Sequence, residues 1–451
     1  MITEKATTKL WICMKFVREK WGAKPKIMHW MYTAIVRTAI SYAAIAWWEK
    51  TKEATVQKKL NSVQRIACIM ITNSFKTTPT SAMETLLDLP PLHLFIKKEA
   101  KITNYTFSVD ENNLMKSYTC KILDKEQKQD EILNIPISDK MSMKFNFEPK
   151  FKVKFPKREE WLNNEITFTE SSVVYFTDGS KFNNNTGAGV YGEKGSFKIS
   201  SSLGDFPTVY QMELYAIILC LERVKTKNIE NKKIFIISDS QAALKSLIKT
   251  EVTSKLAWDC IYYLNLLAMK NKITLMWVPG HNGILGNEEA DTLAKKGTEM
   301  IMNGPSPFCG IPIEIAKTRI KEWLRLKTVD EWYKRIDARH SRSFINKPSF
   351  ERTFNLLKKT RHEVRLLTAY LTGHGPFKHH LKRMGLTENS TCRFCDFDEE
   401  TAEHILCECE ALAHKRNQIL GIGFPTSSDY NEIKLDVLLN FLKKINFILG
   451  I

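Results

Sequence analysis

The chain has 451 residues, a formal net charge of +17 and a pI near 9.2. Its length suggests about three domains, its apolar content permits a sizeable core, and its basic balance favours a polyanionic partner such as nucleic acid. The N-terminus is mixed and charged, and the most apolar stretch, Thr33 to Trp48, is too short to span a bilayer and contains Arg37. Neither a secretory leader nor a membrane partner is therefore expected, and the protein is expected inside the cell, in nucleus or cytoplasm.

Charge is unevenly placed. Residues 1–100 hold 16 Lys/Arg against 7 Asp/Glu, and residues 311–390 hold 18 against 8, whereas residues 171–300 hold 15 against 13. The middle is nearly neutral and the flanks carry the cations, which suit them to contacts with phosphates. The bland alternative is solvated lysine faces. The ten cysteines are scattered except at 392, 395, 407 and 409. That is not a disulfide framework; it reads as a reducing compartment with one candidate metal site.

In chain order, residues 1–107 read as helical. Met31, Ile35, Tyr42 and Ile45 recur at helical spacing, and Val56 to Met70 shows apolar positions at i, i+4, i+7 and i+11. Thr80 or Ser81 can cap a short helix that Pro90–Pro91 stops. Residues 108–170 are polar and Lys/Asn-rich, a linker with a strand or two. Residues 171–300 then change character: strands at 173–177, 187–192 and about 196–202, a helix at about 209–225, a strand at 233–238, helices at 240–250 and 254–270, a strand at 272–278 and a helix at 286–299. Three strands followed by alternating helix and strand predict an α/β domain with a mixed five-stranded sheet and flanking helices. Gly187 and Gly189 suit a tight hairpin. A Pro/Gly break (304–312) precedes a basic helical region at 313–390, in which Trp323 and Trp332 are interleaved with Lys and Arg. The cysteine cluster occupies 391–416. A tail, 417–451, is amphipathic from Ile433 to Ile448.

Four acids stand out. Asp178 (YFTDGS) and Asp239 (IFIISDSQAAL) each follow a short apolar, β-branched run, which places a carboxylate at the end of a buried strand twice. Glu213 (TVYQMELYAI) and Asp291 (GNEEADTLA) sit early in amphipathic helical stretches. Converging carboxylates suit hard divalent cations, and a pair of such cations serves in-line phosphodiester cleavage. The bland reading of each acid is a first-turn helix charge.

TDGS, QMEL, SDSQAAL and WVPGHNGILGNEEAD, in that order, resemble the type-1 ribonuclease H domain. LWICMKFVREKWG, MHWMYTAIVRTAISYAAIAWW, LNSVQRIACIMIT and TTPTSAMETLLDLPPLHL resemble the thumb- or connection-like segment after the polymerase palm of insect non-LTR retrotransposons. LLTAYLTGHGPFKHHL and the CRFC cluster resemble the same polyproteins' C-terminal part. The resemblance implies a ribonuclease H-like fold and an endoribonuclease acting on the RNA strand of an RNA–DNA hybrid. It implies two Mg²⁺ ions held by Asp178, Glu213, Asp239 and Asp291, and a loop histidine, His281, that assists proton movement during product release; a near-neutral imidazole suits that task. The hybrid is the implied partner, with element RNA or DNA on the basic flanks and an intact reverse transcriptase chain as a further candidate. The palm's adjacent-Asp motif in an aromatic context is absent from this sequence, so DNA synthesis does not carry over. A rival reading is a catalytically silent nucleic-acid-binding remnant. Gly286 or Asn287 can cap the last helix, whose positive end Glu288 and Glu289 favour. Ser180, Ser240 and Gln241 are either backbone contacts to the hybrid or caps. Tyr210 stands where the family often has a small amide.

The C-terminal cluster reads Cys392-x2-Cys395-x8-His404-x4-Cys409, four ligands of the kind tetrahedral Zn²⁺ prefers. Cys407 is a rival fourth ligand. On an unbroken helix His404 and Cys407 share a face, while the His404–Cys409 gap matches small zinc fingers better. The resemblance to the family's CCHC zinc knuckle points to Cys409. One structural Zn²⁺ is expected.

Overall fold

A computed structural model describes residues 2–14, 22–107, 118–130, 133, 137–183, 185–193, 197–302 and 309–445. Part of the N-terminal segment (15–21), a minor part of the linker, most of the Pro/Gly break and the end of the amphipathic tail lie outside these residues. The chain packs as two units, Ile102–Arg319 and Met1–Lys101 with Ile320–Ile451.

In the first unit a six-stranded sheet is built from β2 (Lys152–Lys154), β3 (Val173–Phe182), β4 (Asn185–Gly192), β5 (Phe197–Gly204), β6 (Lys233–Ser238) and β8 (Lys272–Trp277), in the order β2-β8-β6-β3-β4-β5. β3, β6, β8 and β2 run parallel, and β3-β4-β5 is an antiparallel meander. Five strands were expected. The sixth, β2, is only Lys-Val-Lys, too short and too charged to read as a strand, and it pairs along the edge strand β8. The stretch read as linker also holds a helix, Tyr118–Gln129, and β1 (Lys140–Phe145), which pairs antiparallel with β7 (Glu251–Ser254) in a separate ribbon. The predicted 240–250 helix therefore ends early, and the chain turns into β7.

Helices α1 (Val209–Thr226), α2 (Gln241–Leu247), α3 (Lys255–Ala268) and α4 (Leu285–Glu299) cover the sheet. Ile234, Ile236 and Ile237 of β6 are all fully buried, as expected of a central parallel strand with helices on both faces. Thr208 caps α1 by accepting the Gln211 N–H, and Gln211 reaches back to the Thr208 N–H. Ser240 caps α2 by accepting the Ala243 N–H, which is the bland role weighed for it.

Gly187 and Gly189 do not serve a turn. They lie inside β4, and α4 rests directly on them: a Cβ on Gly189 would stand 2.1 Å from the Ala290 carbonyl oxygen, and one on Gly187 2.1 Å from that of Ala294. Gly189→Ala must push α4, with Asp291, off the sheet. It is expected to lower stability by about 2–3 kcal/mol, read by chemical denaturation; an unchanged midpoint would contradict this packing.

In the other unit the first buried row is not the one expected. Ile35 and Tyr42 are exposed, and the buried side chains are Met28, Tyr32, Val36, Ile40, Ala44 and Trp48. A strict four-residue repeat drifts by about 40° per step on an α-helix. A π turn at Tyr32–Val36 and left-handed Ala43 (φ 50°) interrupt the helix and offset that drift. In the row on Ala54–Thr72, Leu60, Val63 and Ala67 are buried as expected, while its first member, Val56, is half-buried. The short helix Thr80–Leu86 starts on Pro79 without a side-chain cap; Thr80 accepts from Arg65, and Ser81 donates to Asp337 instead. Trp323 and Trp332 are buried, so the interleaving of tryptophan with cations there is a core pattern and offers bases no stacking surface.

Candidate active site and a cysteine–histidine cluster

The parallel pairing of β3 with β6 ends at Thr177–Ser238. Asp178 and Asp239 are the next residues, so two carboxylates emerge side by side past the last shared rung. Asp178 is not at a strand end, because β3 continues to Phe182 against β4 alone, with Asp178 opposite Gly189. Glu213 arrives from α1, which approaches β3 closely because residue 179 is glycine: a Cβ there would stand 2.6 Å from the Glu213 nitrogen. One carboxylate oxygen from each of Asp178, Glu213 and Asp239 lies within 4.8 Å of the others.

These groups repel one another. Burial, then the Asp239 and Asp291 charges, push Asp178 up to about 7. Burial and the same two-sided repulsion from Asp178 and Asp239 raise Glu213 well above the usual range, against the Gly179 N–H and the Ser238 hydroxyl, which donates to Glu213 Oε2 at 3.4 Å. Burial raises Asp239, while the nearby Asn287 side chain, then His281, oppose the rise.

Asp291 lies outside the close triad but near enough to act on Asp178 and Asp239. Its Oδ2 accepts from Lys295 Nζ at 2.7 Å, one turn along α4. His281 is exposed in the loop between β8 and α4 and holds a left-handed backbone, φ 54°. Gly280 before it passes so close to Asp239 that a Cβ would meet Oδ2 at 2.6 Å. Tyr210 packs partly into the core, and burial raises its hydroxyl above the usual range.

Asn287 was read as a cap and is not one. The N-cap of α4 is Ile284, and Asn287 is buried near Asp239, whose ionised form it favours. A polar residue three positions into a helix, in a motif already carrying an acid, is the signal that pointed to it. Glu288 Oε1 accepts the Gly283 N–H at 3.0 Å, a loop-bracing role.

In the other unit, one donor atom from each of Cys392, Cys395, His404 and Cys409 lies within 4.8 Å of the rest. Cys392 Sγ and Cys409 Sγ are 4.0 Å apart, and Cys395 Sγ is 3.4 Å from His404 Nε2. The unbroken-helix argument for Cys407 fails because His404–Glu408 is a π turn, with the Cys409 N–H donating to the His404 carbonyl at 2.7 Å. The widened turn carries Cys409 round to His404 and sends Cys407 into the apolar core. Burial pushes the Cys407 and Cys409 thiols alike up to about 12. Cys395 goes the other way: burial opposes it, but the Asp398 and Phe397 N–H groups and His404 bring it down to about 7. Buried Glu400 braces the loop by accepting from the Arg393 backbone and guanidinium and from the Lys378 N–H.

The sheet order and the carboxylate triad define a ribonuclease H domain, and residues 170–299 match the RNase H family model. The chain is also homologous to the Pol polyproteins of insect R1 retrotransposons, consistent with the C-terminal part of a non-LTR retrotransposon Pol. It is 26% identical over 164 residues to the "Retrovirus-related Pol polyprotein from type-1 retrotransposable element R1" of Popillia japonica, covering 35% of this chain and 62% of that one. It is 28% identical over 85 residues to the protein of the same name from Nasonia vitripennis, covering 19% and 25%. "Ribonuclease H1" of Homo sapiens is 30% identical over 145 residues, 28% of this chain and half of that protein. The chain thus spans less than two thirds of each of these relatives. No helix among the described residues is long and apolar enough to cross a membrane.

Proposed function

We propose that residues 171–300 form an endoribonuclease that cuts the RNA strand of an RNA–DNA hybrid, leaving 3′-hydroxyl and 5′-phosphate ends. The observation that carries this reading is the convergence of Asp178, Glu213 and Asp239 inside an RNase H domain. The donor set fits Mg²⁺: hard oxygens, close together, raised above their usual pKa ranges by burial and mutual repulsion that a divalent cation would relieve. Bound there, a pair of Mg²⁺ ions would activate the attacking water and stabilise the leaving 3′ oxygen. Asp178, Glu213, Asp239 and Asp291 are the proposed holders, with the Ser238 hydroxyl bonded to Glu213 and Asn287 beside Asp239. The flanking cations contribute phosphate contacts that hold the hybrid. A divalent-cation titration of RNA-strand cleavage tests this: the rate should be zero without added Mg²⁺ and rise with it, and a cation-independent rate would overturn the reading.

His281, exposed beside Asp239, is placed to move a proton rather than to hold metal. His281→Ala is expected to slow turnover by about 10²-fold while leaving the Mg²⁺ dependence of cleavage unchanged, as measured by steady-state kinetics across Mg²⁺ concentrations. A loss of apparent Mg²⁺ affinity would move His281 into the metal site.

The cysteine–histidine cluster is proposed as a structural zinc site. Three thiols and one imidazole in a partly closed pocket fit tetrahedral Zn²⁺. The second imidazole nitrogen, His404 Nδ1, faces Asp398 and Glu408 at 3.8 and 3.6 Å, an arrangement that suits an orienting outer contact.

A further inference from the structure

The β1–β7 ribbon lies outside the RNase H match on its β1 side. Residues 140–157 hold six lysines (140, 144, 150, 152, 154 and 157), all exposed, and Glu148 is their one exposed acid. The ribbon has an inner and an outer face. On the inner side Lys144 lies over the Trp258 ring at 5.0 Å, and Asn146 is buried with its N–H donating to the Thr250 carbonyl at 2.9 Å. On the alternate residues Met143, Phe145 and Phe147 are 51%, 50% and 74% exposed. The rings of Phe145 and Phe147 stack, 5.5 Å apart and 6° from parallel.

The surface is continuous with the acids. α2 is capped by Ser240, the residue after Asp239, and leads into β7. Its seven residues span roughly 10 Å. Lys245 on its exposed side lies over the Phe155 ring at 5.7 Å, next to β2. Cations and exposed aromatics therefore run from the edge of the carboxylate site out to the ribbon.

We propose that this ribbon binds single-stranded nucleic acid that continues from the duplex at the carboxylate site. Lysines supply phosphate contacts, and Phe145 and Phe147 extend their stack with unpaired bases. A duplex is the poorer occupant, because its base faces are already stacked, whereas a single strand offers both its backbone and its π-faces. The proposal rests on the ribonuclease H reading only for the identity of the duplex from which the strand extends.

The test compares the full chain with Phe145→Ala/Phe147→Ala, two exposed positions that the core does not need. Binding is measured without added Mg²⁺ to a blunt RNA–DNA hybrid and to the same hybrid carrying a single-stranded extension. The extension should tighten binding by the parent about tenfold or more, and the double variant should lose that gain while binding and cleaving the blunt hybrid like the parent. No gain from the extension, or a gain that survives the double substitution, overturns the proposal. An equal loss of affinity for both substrates also overturns it and makes the ribbon a duplex contact. Cleavage of the blunt hybrid by the parent reports separately on the ribonuclease H reading: if there is none, yet the gain depends on the two rings, the ribbon stands and that reading falls.

Discussion

Asp178→Asn is expected to lower Mg²⁺-dependent cleavage of the hybrid by about 10²–10³-fold or more, because it replaces the central ligand of the carboxylate site and nothing nearby substitutes for it. Asp178 sits between Asp239 and Asp291 in charge and beside Glu213 in space. The same change should stabilise the metal-free protein, and the sign follows from the raised pKa. A carboxyl lifted from 3.8 to about 7 contributes fully to folding below its unfolded value and loses that contribution as pH rises through about 7. At about pH 8 without divalent cation, the variant should melt at least about 3 °C above the parent, and the gap should narrow as pH falls below about 7 and close only near about pH 4. Added Mg²⁺ should raise the parent's melting temperature and not the variant's. A variant that cleaves like the parent, or melts below it at the higher pH, would remove Asp178 from the site.

Zinc analysis carries the second large effect. One Zn²⁺ per purified chain is expected, retained in Cys407→Ser and lost or weakened in Cys409→Ser. Cys409 lies with the other three donors, and Cys407 is not among that group. Thiolate is the ligand form; Cys395 is drawn down to about 7, while burial holds Cys392 and Cys409 above the usual thiol range, so zinc binding should release protons from those two. Loss of zinc should also loosen the C-terminal unit, seen as a lower melting temperature for Cys409→Ser, because Cys392 and Cys409 lie in its core. The reverse pattern would make Cys407 the ligand, and a zinc-free parent would leave all four cysteines structural.

The acids were legible because each is bound to a local pattern: Asp178 and Asp239 follow β-branched runs, and parallel pairing of those runs suffices to bring them together. The strands and helices of residues 171–300 were legible for the same reason, as their apolar periods are strong. What stayed hidden depended on partners distant in sequence. β2 is Lys-Val-Lys and forms only because β8 offers an open edge. β7 forms because β1, more than a hundred residues earlier, comes to pair with it. Asn287 carries a cap's side chain but lies inside its helix, where its nearness to Asp239 exists only in three dimensions. The role of Gly187 and Gly189 needed α4 lying across β4. Both π turns, at Tyr32–Val36 and His404–Glu408, shift a helix face by one residue, so spacing rules misassigned Ile35 and Tyr42 and left Cys407 and Cys409 open.

The most direct measurement offers the purified full chain three end-labelled substrates with Mg²⁺: an RNA–DNA hybrid, the matching double-stranded RNA and the matching double-stranded DNA. Cleavage should fall on the RNA strand of the hybrid alone, give 3′-hydroxyl and 5′-phosphate ends, and disappear in Asp178→Asn. An intact hybrid, or equal cleavage of all three substrates, would contradict the assignment of Asp178, Glu213, Asp239 and Asp291 to hybrid hydrolysis.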